Sequence, residues 1–273
     1  MTNLIKLFAL ILLCLGLNAC ATPQNHNHPS PINQQPIPKS QQPISKKTKA
    51  NRPFTPAKDI RGKWAFKADP KLPNVLLIGD SISIGYTRLV RKNLRGIANV
   101  YRPVNAKQTR PANCGDTNRG IQNLNHWLLN KKWAVIHFNW GLHDLCYRYK
   151  KSKTQGRRDK IHGKISVPLP QYQKNLRLLV QKLKKTKAKL IFATTTTVPQ
   201  GEVGRFPGDD IRYNNAAKKI MQKNKITIND LHQLTHPWPA KFFAGPGNVH
   251  FNRAGYQRIA KQVSDKIKAA LKK

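Results

Sequence analysis

Five short apolar runs punctuate the chain, at residues 74–78, 98–101, 133–138, 190–193 and 226–228. The longer ones are nearly continuous rather than alternating, the pattern of a strand covered on both faces, and the run at 226–228 reads as a short fifth strand. Between them apolar side chains recur every three or four positions, as at Tyr172, Leu176, Leu179, Val180 and Leu183, and again at Tyr256, Ile259, Val263 and Ile267. Lys and Arg fill the opposite faces, so these stretches read as amphipathic helices. Strand alternating with helix predicts an α/β fold, a three-layer α/β/α sandwich around a parallel sheet of about five strands. Any site then belongs at the carboxyl ends of the strands.

Two N-terminal stretches stand outside this pattern. Residues 7–17 are apolar, preceded by Lys6 and followed by small residues, which reads as an export signal over residues 1–19. The run is short for a membrane span. Leu17-Asn18-Ala19-Cys20 resembles the lipobox of bacterial lipoproteins. The resemblance implies cleavage before Cys20 and lipidation of that residue, hence an exported protein anchored to the membrane of the cell envelope. Ala21, where inner-membrane retention uses Asp, resembles lipoproteins sorted to an outer membrane in organisms that have one. The alternative is ordinary cleavage near Ala21 or Thr22. Residues 20–71 are rich in Pro and Gln without apolar periodicity, and read as a flexible tether leading to a domain at 72–273. His26 and His28 in that stretch read as polar tail residues and not as metal ligands.

Composition narrows the chemistry. The 273 residues hold 50 Lys and Arg against 11 Asp and Glu, a formal charge of +39, and residues 72–273 carry 39 basic and 9 acidic side chains. The excess therefore sits on the domain, where it attracts anionic polymers such as acidic glycans in a salt-dependent way, unless it reflects a general charge bias. No zinc-finger spacing, RNP-like motif or Gly-rich phosphate loop points to specific nucleic-acid binding. Glu202 is the sole glutamate, which excludes the two-glutamate sites of many glycosidases and leaves acid–base work to Asp or His.

Four segments carry candidate chemistry: Gly79-Asp80-Ser81 after the first strand, Asn113-Cys114-Gly115-Asp116-Thr117 after the second, Gly141-Leu142-His143-Asp144 after the third, and Asn248-Val249-His250-Phe251 before the last helix. Singly each also reads as a turn or a helix cap. In this order, and on these elements, they resemble the four blocks of SGNH/GDSL hydrolases, in the branch with GDSISIGY, GLHD and NVHF, over residues 72–270. The resemblance implies a flavodoxin-like sheet, Ser81 as nucleophile, His250 as general base, and an oxyanion hole formed by the backbone N–H of Ser81 and Gly115 with the side chain of His143. His143 stands where the family usually has Asn, and a neutral imidazole can also donate. The family's Asp, three residues before the histidine, is Gly247 here. Orientation of His250 then falls to Asn248, a backbone carbonyl or another carboxylate such as Asp230, or the site runs as a Ser–His dyad.

The resemblance implies no metal and no organic cofactor. Cys114 and Cys146 flank the second and third blocks, so in an oxidising envelope a disulfide is expected between them, the alternative being two thiols. The basic segment 147–169 follows the third strand and is expected to overhang the site, with Arg148, Arg157 and Arg158 as candidates for holding an acidic substrate, or else to be a solvated insertion. The expectation is a monomeric serine esterase removing acetyl or other short acyl groups from a carbohydrate. The alternatives are a lipid esterase or thioesterase, which needs an apolar acyl channel, and a catalytically impaired lipoprotein that only binds anionic glycans.

Overall fold

The computed structural model describes residues 64, 65, 67–105 and 110–272. The export signal over residues 1–19, Cys20, His26, His28 and most of the tether lie outside the described residues.

The first strand, β1 (Asn74–Ile78), is followed by α1 (Ser81–Asn93), β2 (Asn99–Tyr101), α2 (Thr117–Trp127) and β3 (Val135–Phe138). After β3 come two very short strands, β4 (Tyr147–Arg148) and β5 (Lys164–Ile165). The chain continues with α3 (Leu169–Lys184), β6 (Lys189–Ala193), α4 (Asp209–Lys223), β7 (Thr227–Asn229), α5 (Leu231–Thr235) and α6 (Arg253–Lys272). Strands β2-β1-β3-β6-β7 form one sheet, parallel throughout, with register pairs such as Leu76 with Tyr101 and Ile136, and Phe138 with Phe192. This is the expected five-stranded α/β architecture.

Burial explains why the strands are apolar end to end. Val75, Leu76, Leu77 and Ile78 have no solvent exposure, nor do Val135, Ile136 and Phe138, because helices cover both faces. Helices α1 and α6 pair on one face, and α2, α3 and α4 pack in sequence on the other. The α1–α6 contact depends on Gly85: a Cβ there would lie 2.2 Å from ring atoms of Tyr256.

The helix starts follow from local chemistry. Asp80 Oδ1 accepts from Ile82 N at 2.9 Å, Asp116 Oδ1 from Arg119 N at 2.9 Å, and Asn252 Oδ1 from Gly255 N at 3.0 Å, each satisfying a first-turn amide. Two of the four candidate segments thus contain a helix cap, and a third directly precedes one.

The folded part reaches back beyond residue 72. Asp69 N donates to Asn99 Oδ1 (2.9 Å), Asn99 Nδ2 donates to the carbonyls of Asp69 (2.8 Å) and Leu72 (3.1 Å), and Arg91 Nη1 donates to Trp64 O (2.8 Å). These bonds tie the stretch before β1 to α1 and β2.

The sheet order sets the site's place. From β1 the chain moves outward to β2, then returns past β1 to β3 and continues the other way. The loops leaving β1 and β3 diverge at this switch point, where open α/β sheets form their ligand crevice.

Candidate active site

Ser81 is the first residue of α1, directly after the Asp80 cap. Its Oγ lies 2.8 Å from Nε2 of His250, which arrives from the loop preceding α6. On the far side of the ring, Nδ1 lies 2.8 Å from Oδ1 of Asn248, and the backbone N–H of His250 donates to the same oxygen at 3.0 Å. A backbone N–H can only donate, so the amide orientation is fixed and Nδ1 carries the proton. Nε2 is left with its lone pair toward the serine hydroxyl. Burial holds the His250 pKa below its ordinary value. The negative charge of Asp80 opposes this, Arg205 and Arg158 add to the lowering, and Glu202 opposes it. A serine hydroxyl bonded to a neutral, oriented imidazole is arranged for proton transfer from oxygen to nitrogen.

Asp230, the other candidate for orienting His250, serves elsewhere. It caps α5, accepts from Gln233 N (3.0 Å) and Thr194 Oγ1 (2.9 Å), and pairs with Lys218 at 2.5 Å. Gly247 has φ +61°, and a Cβ there would lie 2.5 Å from the carbonyl oxygen of Gly201. The backbone therefore has no room for the acid that the family pattern places at this position.

A cleft of about 260 Å³ opens over the pair, with walls that include Asn113, His143, Arg148, Gly156, Arg158 and Arg205. Segment 147–169 does overhang the site, as the β4–β5 hairpin with a 3-10 turn at Gln155–Arg157. Of its three candidate arginines, Arg148 and Arg158 line the cleft, whereas Arg157 is exposed on the turn and does not. Arg148 is committed internally: Nε donates to Ser166 Oγ (3.0 Å), Nη1 to Gly156 O, and Nη2 to His143 Nδ1 (3.3 Å). Arg158 donates to Glu202 Oε1 (2.8 Å), which Arg205 reaches as well (2.9 Å). Arg205 Nε holds Leu142 O at 2.7 Å and so fixes the Gly141-Leu142-His143 loop.

The N–H of Gly115, expected to face an oxyanion, donates to Oδ1 of Asn113 at 2.9 Å. Asp144 ties its loop to α2 by accepting from the Thr117 N–H (2.8 Å) and hydroxyl (2.6 Å), and burial pushes its carboxyl up to about 8. Cys114 and Cys146 are both buried and unjoined, so the expected disulfide is absent from this structure. Burial also pushes the Cys114 thiol up to about 11, which keeps it protonated and unreactive. Among the described residues no group of His, Cys, Asp and Glu is arranged to hold a metal ion.

Sequence reasoning passed over Arg102. Buried beneath the start of α1, it donates to Thr87 Oγ1 (2.8 Å), Ser83 Oγ (3.2 Å), Gly79 O (3.3 Å) and Ala112 O (2.9 Å), joining the loops after β1 and β2. Nothing in a chain with 50 basic residues marks this one out.

Fold and site together define an α/β protein with a hydrogen-bonded Ser–His pair at the carboxyl edge of a parallel sheet. The GDSL-like lipase/acylhydrolase family model matches residues 77–258, and the chain belongs to that family of ester-hydrolysing enzymes. Its fold is similar to that of the acetyl xylan esterase AlAXEase (17% identity, TM-score 0.55, covering 71% of this chain and 99% of that one). A lipase/acylhydrolase from Enterococcus faecalis (18%, 0.56, 72% and 96%) and an acetylxylan esterase from Geobacillus stearothermophilus (16%, 0.54, 71% and 94%) are similar too. No curated protein sequence matches the chain.

Proposed function

We propose that the protein is a serine esterase that removes acetyl or other short acyl groups from a carbohydrate. The observation that carries the reading is the 2.8 Å contact between Ser81 Oγ and His250 Nε2, with Asn248 fixing the ring from behind. Ser81 Oγ attacks the ester carbonyl while His250 takes its proton; the tetrahedral intermediate collapses as His250 returns that proton to the leaving alcohol. Water then attacks the acyl-Ser81 ester, again losing its proton to His250, and releases the acid and free serine. Short acyl groups and a polar leaving alcohol are favoured by the cleft, whose walls hold only Leu142 and Val249 as large apolar residues among polar and cationic ones. A long acyl chain needs an apolar channel. The acetyl xylan esterases of similar fold support the same substrate class.

The proposal includes export and anchoring through lipidated Cys20, on the strength of the N-terminal sequence. Mass spectrometry of the mature N-terminus from wild type and Cys20→Ala tests it; an unmodified terminus beyond Cys20 in the wild type removes the anchor.

Hydrolysis of 4-nitrophenyl acetate and octanoate by the wild type, Ser81→Ala and His250→Ala tests the chemistry. Both variants are expected to lose turnover while keeping the wild-type circular dichroism spectrum, with acetate preferred over octanoate. Undiminished turnover in Ser81→Ala overturns the mechanism, and preference for octanoate moves the substrate to lipids.

A further inference from the structure

Gly115 directs its N–H into Asn113, so one expected oxyanion donor is engaged elsewhere. What that bond does to Asn113 is informative. Its Oδ1 is fixed as the acceptor for Gly115, so Nδ2 is the end that faces the cleft, 3.4 Å from Nε2 of His143.

The protonation of His143 follows from its other neighbour. Arg148 Nη2 lies 3.3 Å from Nδ1, and a guanidinium has donors only. Nδ1 must therefore present its lone pair. Burial holds the His143 pKa below its ordinary value, Asp80 opposes this, Arg205 and Arg148 reinforce it, and Asp116 opposes it, so the ring is neutral. A neutral imidazole with its lone pair on Nδ1 carries its proton on Nε2. The reverse arrangement, with Asn113 donating to Nε2, places a proton on Nδ1 against the Arg148 N–H. Two N–H groups facing one another at 3.4 Å cannot bond to each other. What they can share is an acceptor beside both, and both groups line the cleft that contains Ser81.

We infer that the side-chain half of the oxyanion hole is the pair His143 Nε2–H and Asn113 Nδ2–H, with Arg148 fixing the tautomer of the one and the Gly115 N–H fixing the orientation of the other. With the first-turn N–H of Ser81, three donors face the oxygen that becomes negative when Ser81 attacks. Asn113 takes the place expected of the Gly115 amide. Arg148 is a positioning residue: it acts through His143. The inference rests on Ser81 being the nucleophile.

Long-range ¹H–¹⁵N spectra of the full chain labelled in histidine, with His143 assigned from a His143→Gln variant, read the tautomer without any turnover. The expected result is the Nε2–H form in the wild type and a mixture of both tautomers in Arg148→Met, with Arg148→Lys restoring part of the Nε2–H form. In parallel, Asn113→Ala is expected to lower kcat for 4-nitrophenyl acetate about 10²-fold with KM within about twofold. A wild-type His143 protonated on Nδ1, or an Asn113→Ala variant with wild-type kcat, overturns the inference. A wild type that hydrolyses no ester removes the esterase reading instead, while the tautomer spectra still decide the assignment of His143.

Discussion

Asn248 grips His250 from two directions with one atom: its Oδ1 accepts the backbone N–H at 3.0 Å and the ring Nδ1–H at 2.8 Å. The amide does the orienting work of a carboxylate without the charge. It selects the tautomer that leaves Nε2 free, yet gives the imidazolium formed during turnover no ionic partner.

Replacing Asn248 therefore separates two effects. Asn248→Ala loses the orientation, and kcat is expected to fall on the order of 10²-fold. Asn248→Asp keeps the acceptor and adds charge, which stabilises the protonated ring. The His250 pKa then rises, the acid limb of the kcat profile moves to higher pH, and plateau kcat increases. Initial rates from pH 4 to 8 check both variants.

Gly247→Asp, which restores the family's acid in its usual place, is expected to gain nothing. The residue must adopt φ +61°, and its Cβ meets the Gly201 carbonyl at 2.5 Å. A loss of stability of about 1–3 kcal/mol, measured by urea unfolding, with no increase in kcat is the expected outcome.

Arg158 lowers the His250 pKa through its charge. The proposed mechanism needs the neutral ring, so a lowered pKa extends activity toward acid. In Arg158→Gln the imidazolium is less disfavoured and the acid limb is expected to move to higher pH, by less than about one unit because the arginine is partly solvated. An acid limb that stays in place or moves lower contradicts this electrostatic account.

Asp144 makes stability depend on pH. Its carboxyl binds a proton more tightly in the fold, at about 8, than in the unfolded chain, so its contribution is fully present below the unfolded value and declines as pH rises toward 8. Asp144→Asn cannot lose that proton. The Tm of the wild type relative to Asp144→Asn is expected to fall steadily between pH 4.5 and 8, and scanning calorimetry over that range measures it.

The sheet was legible because burial on both faces leaves no polar alternation to confuse the signal, as in Asn74–Ile78. Ser81 and His250 were singled out by the resemblance of their segments to the family's blocks, and the structure sets their side chains 2.8 Å apart. The β4–β5 hairpin was not, since two-residue strands inside a basic run leave no periodicity. Asn113 stood in a recognised segment without a role, because its orientation depends on the backbone turn that aims the Gly115 N–H. Arg102 and Arg205 act through carbonyl oxygens of other loops, and such bonds leave no trace in the order of residues.

Glu202 gives the scarcity of its residue type a different meaning. Fully buried, it meets Arg158 from the overhanging hairpin and Arg205, which in turn holds Leu142, while its second oxygen accepts from Gly204 N at 2.6 Å. An aspartate carboxylate stops one methylene short and cannot span all three. The chain uses glutamate once, at a point where reach decides: a single carboxylate joins the hairpin over Ser81 to the arginine that holds the Gly141–His143 loop.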